Sequence, residues 1–187
     1  MPTAHVEGWG LYSEYLGFEL GLYEDPYARF GHYSLNLLRA CRLVVDTGIH
    51  AMGWSREKAV NYMVDNTPMN KDSVEAEIDR YITWPGQACA YKIGERKIKL
   101  LRSMAEEQIG DKFNVAEFHR AVLKCVGPLS ALETCIGRFI ENVKSGKKMM
   151  GIGESIMSSP VVQSGSGGAM GRGSGLGVLV IMAAVIV

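Results

Sequence analysis

The chain has 187 residues and a mass of 20.5 kDa, enough to bury one sizeable core. Lys plus Arg and Asp plus Glu both count 20, so the formal net charge is zero. That balance excludes a nucleic-acid binder working through a basic surface, and equally a disordered acidic or basic chain. Hydrophobic residues make up 47% and charged residues 21%, yet residues 151–187 carry only Glu154 and Arg172 as charges and no aromatic residue. The body and the C-terminal tail are therefore different materials.

In chain order, the opening Met1-Pro2-Thr3-Ala4-His5-Val6-Glu7 has no basic n-region and no apolar h-region, so it does not read as a secretory signal. Either the natural protein begins this way or upstream sequence has been lost. Glu7 to about Leu22 predicts an amphipathic helix rich in aromatics, among them Trp9, Tyr12, Tyr15 and Phe18, stopping near Asp25-Pro26. A longer helix follows from Pro26 to Met52 and ends at Gly53. Ser55 caps a third through Asn66, with Trp54 packing just outside. Asn70 or Asp72 opens a fourth, carrying Val74, Ile78 and Tyr81 at helical spacing, and Trp84-Pro85-Gly86 breaks it. Pro85 fits the first turn of a fifth helix running to Gly110. Asn114, with Glu117 three residues on, makes a capping-box-like start for a sixth that ends near Gly127. Pro128 starts the last, which ends around Ser145-Gly146. No alternating β pattern is present, so the body, residues 1–146, is expected to be all-α.

Beyond it, residues 147–175 read as a disordered Gly/Ser-rich linker and residues 176–187 as an apolar tail. The tail is too short to cross a bilayer as a helix, which takes roughly 20 residues. Small residues at Ser164 to Gly168, a polar spacer and an apolar end match a GPI-attachment signal, which would place the protein on the cell surface, outside the cell. A flexible tail with a sticky end and a mistranslated 3′ exon are the other readings. Cys41, Cys89, Cys125 and Cys135 form no CxxC pair and lie in apolar helical patterns, which favours four buried thiols. A Cys125–Cys135 bridge across the Gly127-Pro128 turn, open to a secreted chain, ranks second.

Three sets of residues could carry chemistry. Arg39, Arg42, Asp46 and His50 recur at spacings of three and four inside an apolar helix and share one face. A ladder Arg42–Asp46–His50 along that face is the plainer reading, in which Asp46 also sets the tautomer of His50. Glu77, Asp79, Arg80 and Tyr81, with Gln87 and Tyr91 across the turn, form the second set. A phenol there can donate to a developing oxyanion and an arginine can bind a carboxylate, while turn packing is the plainer reading. Glu7 and Glu14, seven apart, share a helical face. They are either dipole complements or a metal-ligand carboxylate with a second carboxylate behind it.

Together, EGWGLYSE (Glu7–Glu14), RACRLVVDTGIHAMGWSREKAVNYM (Arg39–Met63), EIDRYITWPGQACAYKIG (Glu77–Gly94) and FHRAVLKCVGPLSALE (Phe118–Glu133) resemble the C-terminal part of the domain-of-unknown-function 885 (DUF885) family, over roughly residues 5–143. That family resembles the helical gluzincin metallopeptidases, in which an HExxH helix supplies two histidine zinc ligands and a later helix supplies a glutamate. The resemblance implies that Glu7 is the third zinc ligand and Glu14 stands behind it. It implies that Tyr81 stabilises the tetrahedral intermediate, that Arg80 orients substrate or a carboxylate, and that His50, set by Asp46 with Arg42 as anchor, binds substrate or steadies the intermediate. The departure is plain: His5, His32, His50 and His119 are the only histidines, and no HExxH is present. Zinc binding therefore needs an upstream helix. The expected function is the C-terminal portion of a zinc-dependent hydrolase acting on peptides or acyl-amino compounds, inactive as this chain alone. The alternative is a non-catalytic helical module that binds a partner.

Overall fold

The computed structural model describes residues 2–146. The described residues form seven helices, α1 Thr3–Glu19, α2 Pro26–Met52, α3 Arg56–Asn66, α4 Lys71–Thr83, α5 Gln87–Ile109, α6 Val115–Lys124 and α7 Leu129–Lys144, with a 3-10 turn at Gly110–Lys112. No strand occurs among the described residues, and the body is all-α as expected. The linker, the apolar tail and the GPI signal all lie outside the described residues.

Most helix ends follow from local chemistry. Side chains of Asp25, Ser55, Asn70 and Asn114 accept backbone N–H bonds from Ala28, Lys58, Ser73 and Glu117 at 3.1, 3.1, 2.8 and 3.0 Å. Each satisfies a first-turn donor that the helix cannot. At the end of α2, Gly53 adopts φ 64°, and the Trp54 N–H reaches back to the Gly48 carbonyl at 2.9 Å. The Trp54 ring then lies on Gly48, where an added Cβ would sit 2.5 Å from the indole. Several boundaries differ from expectation: α1 begins at Thr3 and not at Glu7, and α6 ends at Lys124, short of Gly127. Helix α1 stops at Glu19, because Gly21 turns left-handed at φ 70° and the Leu22 N–H closes on Gly17 at 2.8 Å. Pro85 lies outside α5, because Gly86 is left-handed at φ 79° and the helix starts only at Gln87. The α4–α5 corner is thus sharp.

Two cores share α5. Ile98, Leu101, Ala105 and Ile109 of α5 join Tyr12 of α1, Phe118 and Val122 of α6, and Leu132, Ile136 and Phe139 of α7. Ala88, at the start of α5, joins Leu38, Cys41 and Val45 of α2, Val60 and Met63 of α3, and Val74, Ile78 and Tyr81 of α4. Helices α1 and α5 cross backbone to backbone at Gly8 and Gly94. A Cβ on Gly94 would run into the Ala4 carbonyl, and one on Gly8 into the Gly94 backbone.

The four-thiol reading is corrected. Cys125 and Cys135 are joined in a disulfide, while Cys41 and Cys89 remain free and buried. Helix α6 ends at Lys124, so Cys125 leaves the helical region with ψ 98° and meets α7 instead of continuing the apolar stripe.

Candidate functional site

The charged face of α2 packs on α4 and the α4–α5 corner, so its side chains find partners across helices. The buried Arg42 donates from Nε to the Tyr81 hydroxyl at 2.7 Å and from Nη2 to Glu77 Oε2 at 2.8 Å. Tyr81 donates its own proton to the same Glu77 oxygen at 2.6 Å. Arg80 approaches that oxygen at 3.5 Å, and both guanidiniums lie over the Tyr81 ring, at 5.5 Å for Arg42 and 5.4 Å for Arg80. One carboxylate therefore serves two cations and a phenol. Burial alone would push the Glu77 carboxyl up, but the Tyr81 hydroxyl, Arg42 and Arg80 outweigh it and hold it below the ordinary carboxylate range. Burial, reinforced by the bond to Glu77, keeps the Tyr81 phenol well above its ordinary value, although Arg42 pulls the other way.

The expected ladder along α2 is not what forms. Both carboxylate oxygens of Asp46 accept from the Gly86 N–H at 3.1 Å, pinning the α4–α5 corner. His50 is exposed, and its Nε2 lies 2.9 Å from the Tyr81 carbonyl oxygen, so that nitrogen carries the proton. Among the described residues, no hydrogen bond or ion pair joins Asp46 to Arg42 or His50. Common spacing placed the three on one face, and that face is occupied by a neighbouring helix whose groups come closer than the next turn does.

Glu7 enters the same cluster through Gln87. The Gln87 amide donates to Glu7 Oε1 and to the Tyr91 hydroxyl, both at 3.4 Å, the long end of hydrogen-bond geometry. Its carbonyl oxygen accepts from Arg80 Nη1 at 3.1 Å. This buried amide thus links α1, α4 and α5. The structure brings Glu7, Arg80 and Tyr81 into one network, whereas His50 touches only its backbone edge. Glu14 pairs with Arg39 at 3.7 Å. The Arg39 and Arg42 guanidiniums both lie over the Tyr91 ring, at 5.9 and 5.1 Å. The role of Gln87 was not legible in the spacing. Its one signal was position, a polar residue directly after Pro85-Gly86 and before the apolar Ala88-Cys89-Ala90.

Zinc needs three or four protein ligands. Glu7 offers one carboxylate, and its Oε1 accepts a hydrogen bond from the Gln87 amide. Among the described residues, no group of three or more His, Cys, Asp and Glu could hold a metal ion. The described residues therefore do not fit a zinc site by themselves.

The profile of the family described as "Bacterial protein of unknown function (DUF885)" matches residues 1–135, somewhat short of the end at about residue 143 that the motifs suggested. The fold is similar to the crystal structure of "the putative lipoprotein from Colwellia psychrerythraea", with a TM-score of 0.73 and 46% identity. That likeness covers 75% of this chain and 24% of the Colwellia chain, so this chain spans about a quarter of the length of that relative. No curated protein matches it. With more than half of its length inside the family profile, this chain belongs to the DUF885 family.

Proposed function

We propose that the chain is the C-terminal portion of a zinc-dependent hydrolase acting on peptides or acyl-amino compounds, inactive until a second polypeptide segment adds the missing ligands. The observation that carries this reading is the Gln87 link, which gathers a carboxylate, a guanidinium and a phenol from three helices. In this reading Glu7 is the carboxylate ligand. Arg80, partly exposed, binds a substrate carboxylate. His50 is a positioning residue that holds the end of α4 through the Tyr81 carbonyl. Tyr81 is 1% exposed and already donates to Glu77, so to reach an oxyanion it would have to exchange that bond. Tyr91, half-buried and accepting only a long bond from Gln87, has the freer proton. We assign the protein to the cell envelope. The Colwellia relative's description as a lipoprotein supports this, as does the Cys125–Cys135 bridge, since disulfides persist in oxidising compartments. No described helix is long and apolar enough to cross a membrane, and attachment through residues 176–187 concerns residues outside the described ones.

The test is a graft. Residues 1–135 replace the matching quarter of the Colwellia protein, and metal content and hydrolysis of acyl-amino compounds are measured. The Glu7→Gln graft should lose zinc about tenfold or more. Tyr81→Phe and Tyr91→Phe should keep zinc, and whichever lowers kcat without changing KM names the oxyanion donor. Full zinc occupancy in the Glu7→Gln graft removes Glu7 from the metal site, and an unmodified graft that neither binds zinc nor hydrolyses rejects the reading.

A further inference from the structure

The N-terminal half of α2 carries apolar residues both on its packed side and along an exposed stripe. Its inner side is covered: Leu38 is buried in the second core, and His32 sits among the rings of Phe18 and Tyr23 at 4.8 and 5.1 Å. Its outer side is not. Tyr27, Phe30, Tyr33 and Leu37 follow at spacings of three, three and four, one stripe about 15 Å long. Tyr27 is 84% exposed, Phe30 63% and Tyr33 60%, and Leu20 and Leu22 in the α1–α2 turn are exposed as well. Neutral and largely aromatic, it suits neither nucleic acid nor a charged lipid surface. Large apolar side chains exposed together along one helical stripe mark a face that packs against other protein.

We infer that this face is an internal packing surface of a DUF885-length protein, covered by an apolar helical face from the part of that protein outside the present match. The Colwellia chain has the same fold over the matched part and continues for about three times that length beyond it, which is the material available to cover the stripe. A patch of this size, left open, is what remains when one side of a packed interface is seen alone. The inference rests on family membership and on exposure, not on the zinc reading. The covering segment would lie against α2, whereas the Glu7–Gln87 cluster is built on α1, α4 and α5.

The test compares maleimide labelling of a cysteine at Phe30 or Tyr33 in two settings. In the full 187-residue chain, Phe30→Cys and Tyr33→Cys should react at the rate of an open surface thiol. In the graft that carries residues 1–135 within the Colwellia protein, both should react about tenfold slower or more. Leu123→Cys, exposed on α6, supplies the reference. In the intact Colwellia protein, which needs no graft, hydroxyl-radical footprinting should show the helix aligned with α2 protected along the same stripe. Equal labelling rates in the two settings, or an open stripe in the intact Colwellia protein, would overturn the inference. So would protection already present in the 187-residue chain together with elution as a dimer, since a second copy would then be the cover. None of these readouts depends on zinc or on hydrolysis, so loss of the hydrolase reading leaves the result intact.

Discussion

Each core contains a buried tyrosine bound to an arginine, and the two are completed in opposite ways. Tyr12 lies 2.8 Å from His119 Nε2 and accepts from Arg102 Nη1 at 3.0 Å, so its proton goes to the imidazole. Arg102 is itself met by two carboxylates, both oxygens of Glu19 at 2.8 and 3.2 Å and Glu106 at 2.8 Å. Every charge there has a charged partner, and the cluster ties α1, α5 and α6 together. Around Tyr81 the proportions reverse. Arg42 and Arg80 share Glu77, and Arg80 leans on the neutral Gln87, with Glu7 reached only through that amide. In the first arrangement every charge is already paired, although water reaches its carboxylates. The second leaves a guanidinium and a carboxylate partly open to further partners, which is why the candidate site is placed there although both regions contain tyrosine, arginine and glutamate.

The largest expected effect breaks the Tyr12 region at its backbone. Gly94→Ala puts a methyl group into the Ala4 carbonyl, so α1 and α5 must separate and Tyr12 loses its setting. A loss of about 3 kcal/mol or more is expected in urea unfolding, because backbone cannot rotate aside as a side chain would. Full stability in this variant would mean that the crossing is looser than the structure has it.

Arg42→Met strikes the other region. It leaves Tyr81 and Glu77 without their buried cation, and Arg80 compensates only from 3.5 Å, so about 2–3 kcal/mol should be lost. Arg102→Met removes a partly exposed cation from carboxylates that water can reach, and about 1 kcal/mol is expected. Equal losses in the two variants would erase the distinction drawn between the regions.

The smallest effect separates them by pH. Burial, aided by Arg102, holds His119 below its ordinary 6.5. The unfolded chain therefore takes up a proton that the folded chain refuses, and stability falls as pH drops from about 6.5. Glu77 is held below its ordinary 4.5, so its contribution is full above that value and is lost only as pH falls further. The melting temperature should therefore decline in two stages. His119→Gln should flatten the first, although His32, also lowered by burial, leaves a remainder. Glu77→Gln should flatten the second. A wild-type melting temperature that stays constant from pH 7 to about 5 would reject the His119 assignment.

Much of the helical framework is legible in the amino-acid sequence. Ser55, Asn70, Asn114 and Gly53 mark helix ends through bonds that close within a few residues, so the sequence neighbourhood contains the whole interaction. The motifs around Glu7 and Tyr81 supply residues that fold into one network through Gln87, Arg80 and Glu77. The pairing of Arg42 was not legible, because periodicity reports which residues share a face and not what packs on it. The same gap hid the three partners of Gln87, which come from two other helices and from the next turn of its own.

Sequence alone therefore determined the all-α body, most of its helix ends and its family, because these depend on local backbone satisfaction and on long linear motifs. Only the tertiary structure decided that Gly8 and Gly94 touch, that Cys125 bonds Cys135, and that Asp46 holds Gly86 instead of His50. Those outcomes depend on which distant groups arrive first at a shared surface. That is settled by the packing of whole helices, since a side chain within reach of several partners takes the one that packing brings nearest.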